Sequence, residues 1–246
     1  AIYDDQTQTL DCVQEIMFVN NSDNSLTEVC FFVYANAFAE GQTVVPKSYT
    51  DRAYPNGESF GNLKFESVQV NGQDVNFSLS ESGNILTVSL IQELFPQEKV
   101  EIDMTYTISL ANINHRLGYG NNAVNFGNFF PIACVYEDGV GFVKNQFSAS
   151  GDPFYSDVSN FNVSISYPED YVLASSGELL SQSVKDGQTT SVCKGEKIRD
   201  FCFVLSKDFQ VITGKVGGIE VRYYYYDDEN AQAHLKTSVD AVTTFQ

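Results

Sequence analysis

The chain has 246 residues, 43% of them hydrophobic and 13% aromatic, and a formal net charge of −18. That supplies apolar material for a sizeable core, and the charge excludes a binder of nucleic-acid phosphates, which needs a basic face. No stretch approaches the roughly 18 apolar residues that carry a helix across a bilayer, so no membrane span is expected.

Tyr and Phe are plentiful, at 14 and 19, and Trp is absent, a bias that with many Val and Ile favours strands. Residues 12–34 hold two apolar runs around the polar NNSDNS, which predicts a hairpin with a long loop. Residues 39–62, rich in Gly, Pro, Ser and Asn, read as a long loop. Residues 65–90 alternate cleanly through Val68 and Val70, then Val75, Phe77 and Leu79, then Ile85, Leu86, Val88 and Leu90. Asn71-Gly72 and Ser82-Gly83-Asn84 supply turns, so a three-stranded meander with one buried face is expected. Residues 99–110 put Val100, Ile102, Met104, Tyr106 and Ile108 on one side of a further strand. The stretch 111–127 reads as a loop and as the seam between two halves. Beyond it, 161–168 alternates, 171–195 holds three strands with an Asp186-Gly187 hairpin, and 199–226 adds two strands around a Gly-rich turn. The expected fold is all-β: two packed, twisted, mostly antiparallel sheets in a saddle-like sandwich.

The tail differs. Asp227 or Asp228 can cap a helix, and Leu235, Val239, Val242 and Phe245 fall on one helical face. Residues 1–226 are therefore expected to form the β domain and 227–246 a helix, either docked on a sheet or opening a further domain.

Little in the chain carries chemistry. The five cysteines, Cys12, Cys30, Cys134, Cys193 and Cys202, form no CxxC and are odd in number. Cys12, Cys30 and Cys202 lie in apolar runs and are expected to be buried free thiols, and Cys193 and Cys202 could face each other across neighbouring strands. The two histidines, His115 and His234, are expected at the surface or partly packed. There is no HExxH, no GxSxG, no GxGxxG and no P-loop. Glu137-Asp138 and Asp227-Asp228 are adjacent, and neighbours on a strand point to opposite faces, so neither reads as an acid–base pair. The run Tyr223–Tyr226 should likewise split its rings between two faces. Asn20, Asn76 and Asn162 each begin an N-x-Ser sequon.

Three segments carry a resemblance: NFFPIACVYEDG (128–139), NFNVSISYPEDYVLASSGE (160–178) and IRDFCFVLSKDFQV (198–211). With the early VNNSDNSLTEVCFFVYANAF, the chain from 12 to 246 resembles the N-terminal β domain of the aminopeptidase N family of gluzincin zinc metallopeptidases. The resemblance implies a saddle-like β domain packed against a thermolysin-like catalytic domain. That domain's GxMEN and HExxH motifs are absent here. Zinc is then expected in a catalytic domain beyond this chain, none within it, and the tail looks like that domain's first helix. The family also offers a Glu or Gln, about nine residues before the aromatic-Pro step, to the substrate amine. Counting back from Pro131 gives Asn122, or with a gap Asn121 or Asn125, so the charge of the family's usual carboxylate is missing.

The resemblance implies a non-catalytic domain that scaffolds the catalytic domain and walls its peptide-binding cleft. Its partners would be that domain and, in the full-length protein, a peptide substrate. An apolar patch around the final helix and the 122–130 loop is then expected. The alternative is a self-contained β-sandwich adhesion or carbohydrate-binding module, with Tyr223 or Tyr225 among its exposed rings. The acidity points to a secreted or cell-surface bacterial protein, and the odd cysteine count points away from an oxidising compartment.

Overall fold

The computed structural model describes residues 1–151 and 154–245. In chain order the first half holds β1 (Ile2–Asp4), β2 (Thr9–Val19), β3 (Leu26–Phe32), β4 (Asn62–Val70), β5 (Gln73–Asp74), β6 (Phe77–Leu79), β7 (Ile85–Leu94), β8 (Lys99–Ser109), β9 (Leu117–Tyr119), β10 (Val124–Phe126) and β11 (Ile132–Ala133). The second half holds β12 (Tyr136–Glu137), β13 (Gly141–Phe142), β14 (Ser159–Pro168), β15 (Val172–Ser175), β16 (Glu178–Lys185), β17 (Gln188–Ile198), β18 (Phe203–Ser206), β19 (Gln210–Val216) and β20 (Ile219–Tyr225). One helical turn, α1 (Thr50–Ala53), interrupts the long 39–62 segment, and α2 (Ala231–Phe245) ends the chain.

The largest layer is an eight-stranded sheet in the order β16-β17-β14-β1-β2-β8-β4-β5. Its alternation is the one written in the sequence: Val100, Ile102, Met104, Tyr106 and Ile108 of β8 are all buried. Among the described residues, strand β1 alone joins the two halves of this sheet. It runs antiparallel to β2 through three residue pairs and parallel to β14 through the pair Ile2–Ser166. Two four-stranded sheets, β15-β18-β10-β9 and β11-β3-β7-β6, face the same core. The expected all-β sandwich is present, with its second layer divided in two.

Two strand pairings differ from the sequence reading. The runs around NNSDNS do not form a hairpin, because β2 pairs with β8 while β3 pairs with β7 and β11 in another sheet. Asn20 explains the corner. It is buried, its amide nitrogen donates to the carbonyls of Asn24 and Leu94, and its amide oxygen accepts from the Ser22 N–H and hydroxyl. The 65–90 meander is also broken. β4 and β5 stay in the large sheet, whereas β6 and β7 cross to β3. Strand β3 is buried on both faces, Val29 through Phe32 in succession, and needs partners that the large sheet cannot supply.

The tight turns follow their residues. Asn71-Gly72 and Asp186-Gly187 hold positive φ throughout (50° and 74°, 52° and 78°), as a two-residue hairpin turn requires. The segment 111–127 is not a loop but folds back as the β9–β10 hairpin.

The end of the chain makes a small separate layer. Among the described residues β19 and β20 pair only with each other, and α2 packs on one face of that ribbon through Leu235 and Val239. Gly214 permits the approach, since a Cβ there would lie 2.7 Å from a Val239 methyl. The tyrosine run divides as expected. Tyr223 and Tyr225 stack at 5.8 Å, while Tyr224 and Tyr226 pack against Phe209. No helix among the described residues is long and apolar enough to cross a membrane.

Candidate functional site

The β9–β10 hairpin carries the three asparagines singled out from the sequence. Leu117 and Val124 turn their apolar side chains inward, and the Gly120 N–H closes the turn onto the Ala123 carbonyl at 2.9 Å. Gly118, at φ 139°, lies so close to Ile113 and the Ala111 carbonyl that a Cβ has no room. Asn121 and Asn122 stand exposed at the tip. The Asn122 carbonyl accepts from the Ser206 hydroxyl at 2.5 Å and from the Tyr226 hydroxyl at 3.4 Å. The tip is thereby pinned beside the end of β18 and the point where the chain leaves β20 for α2. Asn125 is placed differently. It is half-buried on β10, and its amide nitrogen donates to the His115 carbonyl at 2.9 Å. The structure thus sets Asn121 and Asn122 together at an exposed, pinned tip and gives Asn125 a bracing role below it.

At the hairpin's base lies a group that sequence reasoning missed. Asn128 is buried at φ 52°, and its amide nitrogen donates to an Asp200 carboxylate oxygen at 2.7 Å. Arg116 reaches the Asn128 amide oxygen at 3.5 Å and lays its guanidinium 4.4 Å from the Phe154 ring centre. Arg199 donates to the Ser156 carbonyl at 2.6 Å. With Tyr34, these side chains line a cavity of about 550 Å³. Asn128 begins the NFFP step and Arg199-Asp200 begins the RDF segment, so two of the segments carrying the family resemblance meet here. The signal in sequence was Gly127-Asn128, a pair suited to a left-handed residue.

Behind the hairpin the core is aromatic. Phe126 stacks on Phe203 at 4.3 Å, and Phe129 meets both edge-on. The expectation of an apolar patch at 122–130 is corrected by this packing, because Phe126, Phe129 and Phe130 are covered by the chain itself. On the final helix only Phe245, 89% exposed, remains among the large uncovered apolar side chains.

The titratable groups have mostly structural partners. His115 sits edge-on to Phe38, and burial and then the Arg116 charge hold its pKa below the usual imidazole value. His234 contacts the Asp228 carboxylate at 2.8 Å, and the Tyr223 hydroxyl donates to that carboxylate at 3.0 Å. These bonds hold the carboxyl of Asp228 below its usual range. The Asp228 carboxylate also accepts the Asn230 N–H two residues on, an Asx turn that leads into α2.

Cys12, Cys30, Cys134 and Cys193 are buried and free, but Cys202 is exposed. Cys193 and Cys202 do not face each other. Cys193 is buried and contacts Ser175 at the end of β15, whereas Cys202 is exposed and contacts Ser176 in the bend that follows. Among the described residues, no group of three or more His, Cys, Asp or Glu side chains is arranged to hold a metal ion, so zinc has no fitting ligands here.

No known family profile and no curated protein matches the chain. Solved structures do. The chain is similar to the M1 zinc metallopeptidase from Deinococcus radiodurans at 14% identity and a TM-score of 0.50, over 89% of this chain and 44% of that one. A variant of that enzyme aligns at 15% identity and a TM-score of 0.49, over 88% and 43%. The class is thus a β-sandwich fold shared with a metallopeptidase, and the chain spans less than half the length of the enzyme it matches. The particular likeness is to the N-terminal region of an M1 zinc metallopeptidase, and at this identity it is a likeness of fold.

Proposed function

We propose that this chain is the non-catalytic N-terminal β domain of a zinc metallopeptidase of the aminopeptidase N type. It scaffolds a catalytic domain and walls the peptide cleft with the β9–β10 tip. The observation that carries the reading is the coverage: nearly all of this chain overlays less than half of a zinc metallopeptidase chain. The pinning of the Asn122 main chain beside Tyr226 supports the role of the tip, because it fixes Asn121 and Asn122 next to the segment entering α2.

Zinc and its chemistry belong to the catalytic domain in this reading, since the described residues offer it no ligand set. The contribution of this chain is positional. The side-chain amide oxygen of Asn122 accepts one hydrogen bond from the α-ammonium of a peptide substrate. That bond is charge-assisted on the substrate's side only. Asn121 is the neighbouring candidate, and Asn125 orients the hairpin through His115.

The test uses the longer protein that includes this chain and the sequence following Gln246. Zinc-dependent release of an N-terminal residue from an aminoacyl nitroanilide is expected. Asn122→Ala should raise KM by about 10-fold or more, the worth of one hydrogen bond to a charged group, with zinc content unchanged. Absence of any zinc-dependent peptidase activity would sink the reading. Unchanged kinetics in Asn122→Ala and Asn121→Ala would remove the tip from the substrate site.

A further inference from the structure

Cys30 lies on β3, and Cys134 lies one residue past β11. The register sets Ile132 against Phe32 and Ala133 against Phe31. Just beyond the ladder, the Cys134 N–H donates to the Cys30 carbonyl at 2.8 Å. Both thiols are free and buried. Hydrogen-bonded partners in an antiparallel ladder have Cα atoms about 5.5 Å apart and side chains on one face. A disulfide spans Cα separations of about 4.4–6.8 Å. That main-chain bond keeps Cys30 and Cys134 adjacent, and a disulfide forms as their Cβ atoms, about 4.5–5.5 Å apart in such pairs, draw in to about 3.5–4.5 Å.

The surroundings distinguish the two thiols. The Cys30 Sγ lies 3.7 Å from the Thr87 hydroxyl and 3.7 Å from a Glu28 carboxylate oxygen. Lys144, 3.4 Å from Glu28, brings its ammonium to the same spot. Burial pushes both thiols up, and at Cys30 the Thr87 hydroxyl and the Lys144 charge offset part of that. With the Lys144 ammonium and the Thr87 hydroxyl beside its sulfur, Cys30 is assigned the first attack once the segment opens, and Cys134 the resolving step. Access comes from the covering segment. β11 pairs with β3 over two residues, and β12 and β13 pair over two. Such short ladders open locally at little cost.

We propose that Cys30 and Cys134 are a dithiol that a small peroxide closes into a cross-strand disulfide, clamping the 132–144 segment onto β3. The Cys30 sulfur attacks one peroxide oxygen and the O–O bond breaks. The leaving hydroxide takes the thiol proton as water, and Cys30 becomes a sulfenic acid. The Cys134 sulfur then attacks the Cys30 sulfur and the S–O bond breaks, releasing a second water. Two electrons pass from the sulfurs to the peroxide.

The experiment treats the reduced chain with hydrogen peroxide, alkylates it unfolded, and cleaves after Glu. Cleavage after Glu puts the five thiols in five separate fragments, with Cys30 in 29–40 and Cys134 in 102–137. The expected result is a loss of about 2 Da and a cross-link between those two fragments, reversed by dithiothreitol. The oxidised form should melt roughly 10 °C higher, since the bond closes a long loop. Cys202→Ser should behave as the parent, and Cys30→Ser or Cys134→Ser should lose the cross-link. Full alkylation of both cysteines after peroxide treatment would overturn the proposal. So would a cross-link that runs instead through Cys202 or to a second chain. Because the fragment map is read on the unaltered chain, a variant that fails to fold leaves the test decisive.

Discussion

Asn128 shows how much one residue can be asked to do. It holds a left-handed backbone and donates to the Asp200 carboxylate while buried. Asn128→Ala removes the bond to a charged group and adds strain, together about 2–4 kcal/mol. Asn128→Gly keeps the backbone and should cost less, and urea denaturation separates the two. His115 makes a second prediction. Its Nδ1 is buried with no hydrogen-bond partner among the described residues, and burial lowers its pKa. Above about pH 6.5 the imidazole is neutral in both folded and unfolded chains. As pH falls below that, the unfolded chain takes the proton first, so stability is lost until the folded pKa is passed. The urea midpoint should therefore drop more between pH 7.5 and 5.5 in the parent than in His115→Gln. An equal drop in both would show that His115 is not responsible. The tip asparagines come from the family resemblance, counted back from Pro131, and their role is the proposal made above. The Arg116–Asn128–Asp200 group was not legible in the sequence, because its members come from segments that only the sheet topology brings together.

Strand faces were legible at the level of elements, and strand partners were not. Alternation in β8 gives the buried set directly, yet nothing in NNSDNS distinguishes a hairpin loop from a corner between sheets. The distinction lies in Asn20, whose amide is satisfied only once the Leu94 carbonyl arrives from β7. The β19–β20 ribbon and α2 are the opposite case, because their contacts are local and the helical face was readable. Leu235 is the buried side chain of that contact. Leu235→Ala should weaken the docking by about 2 kcal/mol, which lowers hydrogen-exchange protection in α2 roughly 30-fold. The eight-stranded sheet should keep its protection. Loss of protection in both would mean that the terminal layer is not a separate unit. Gly214→Ala should act in the same direction through the Val239 methyl.

Across the whole molecule the excess of 18 negative charges sets the balance of like-charge repulsion. Screening should relieve it, so raising NaCl from about 20 to about 500 mM should raise the melting temperature by several degrees. A fall or no change would show that local ion pairs outweigh the net charge. The seam at β1 has a consequence of another kind, in the order of synthesis. A ribosome releases β1 and β2 early and can let them pair at once, but Ser166 of β14 emerges much later. At about 5–20 residues per second that wait is roughly 7–30 s. Throughout it, the far edge of β1 offers unpaired N–H and C=O groups to any passing strand. An edge destined for the middle of the finished sheet thus stands open in the nascent chain, and a holding chaperone would find work there.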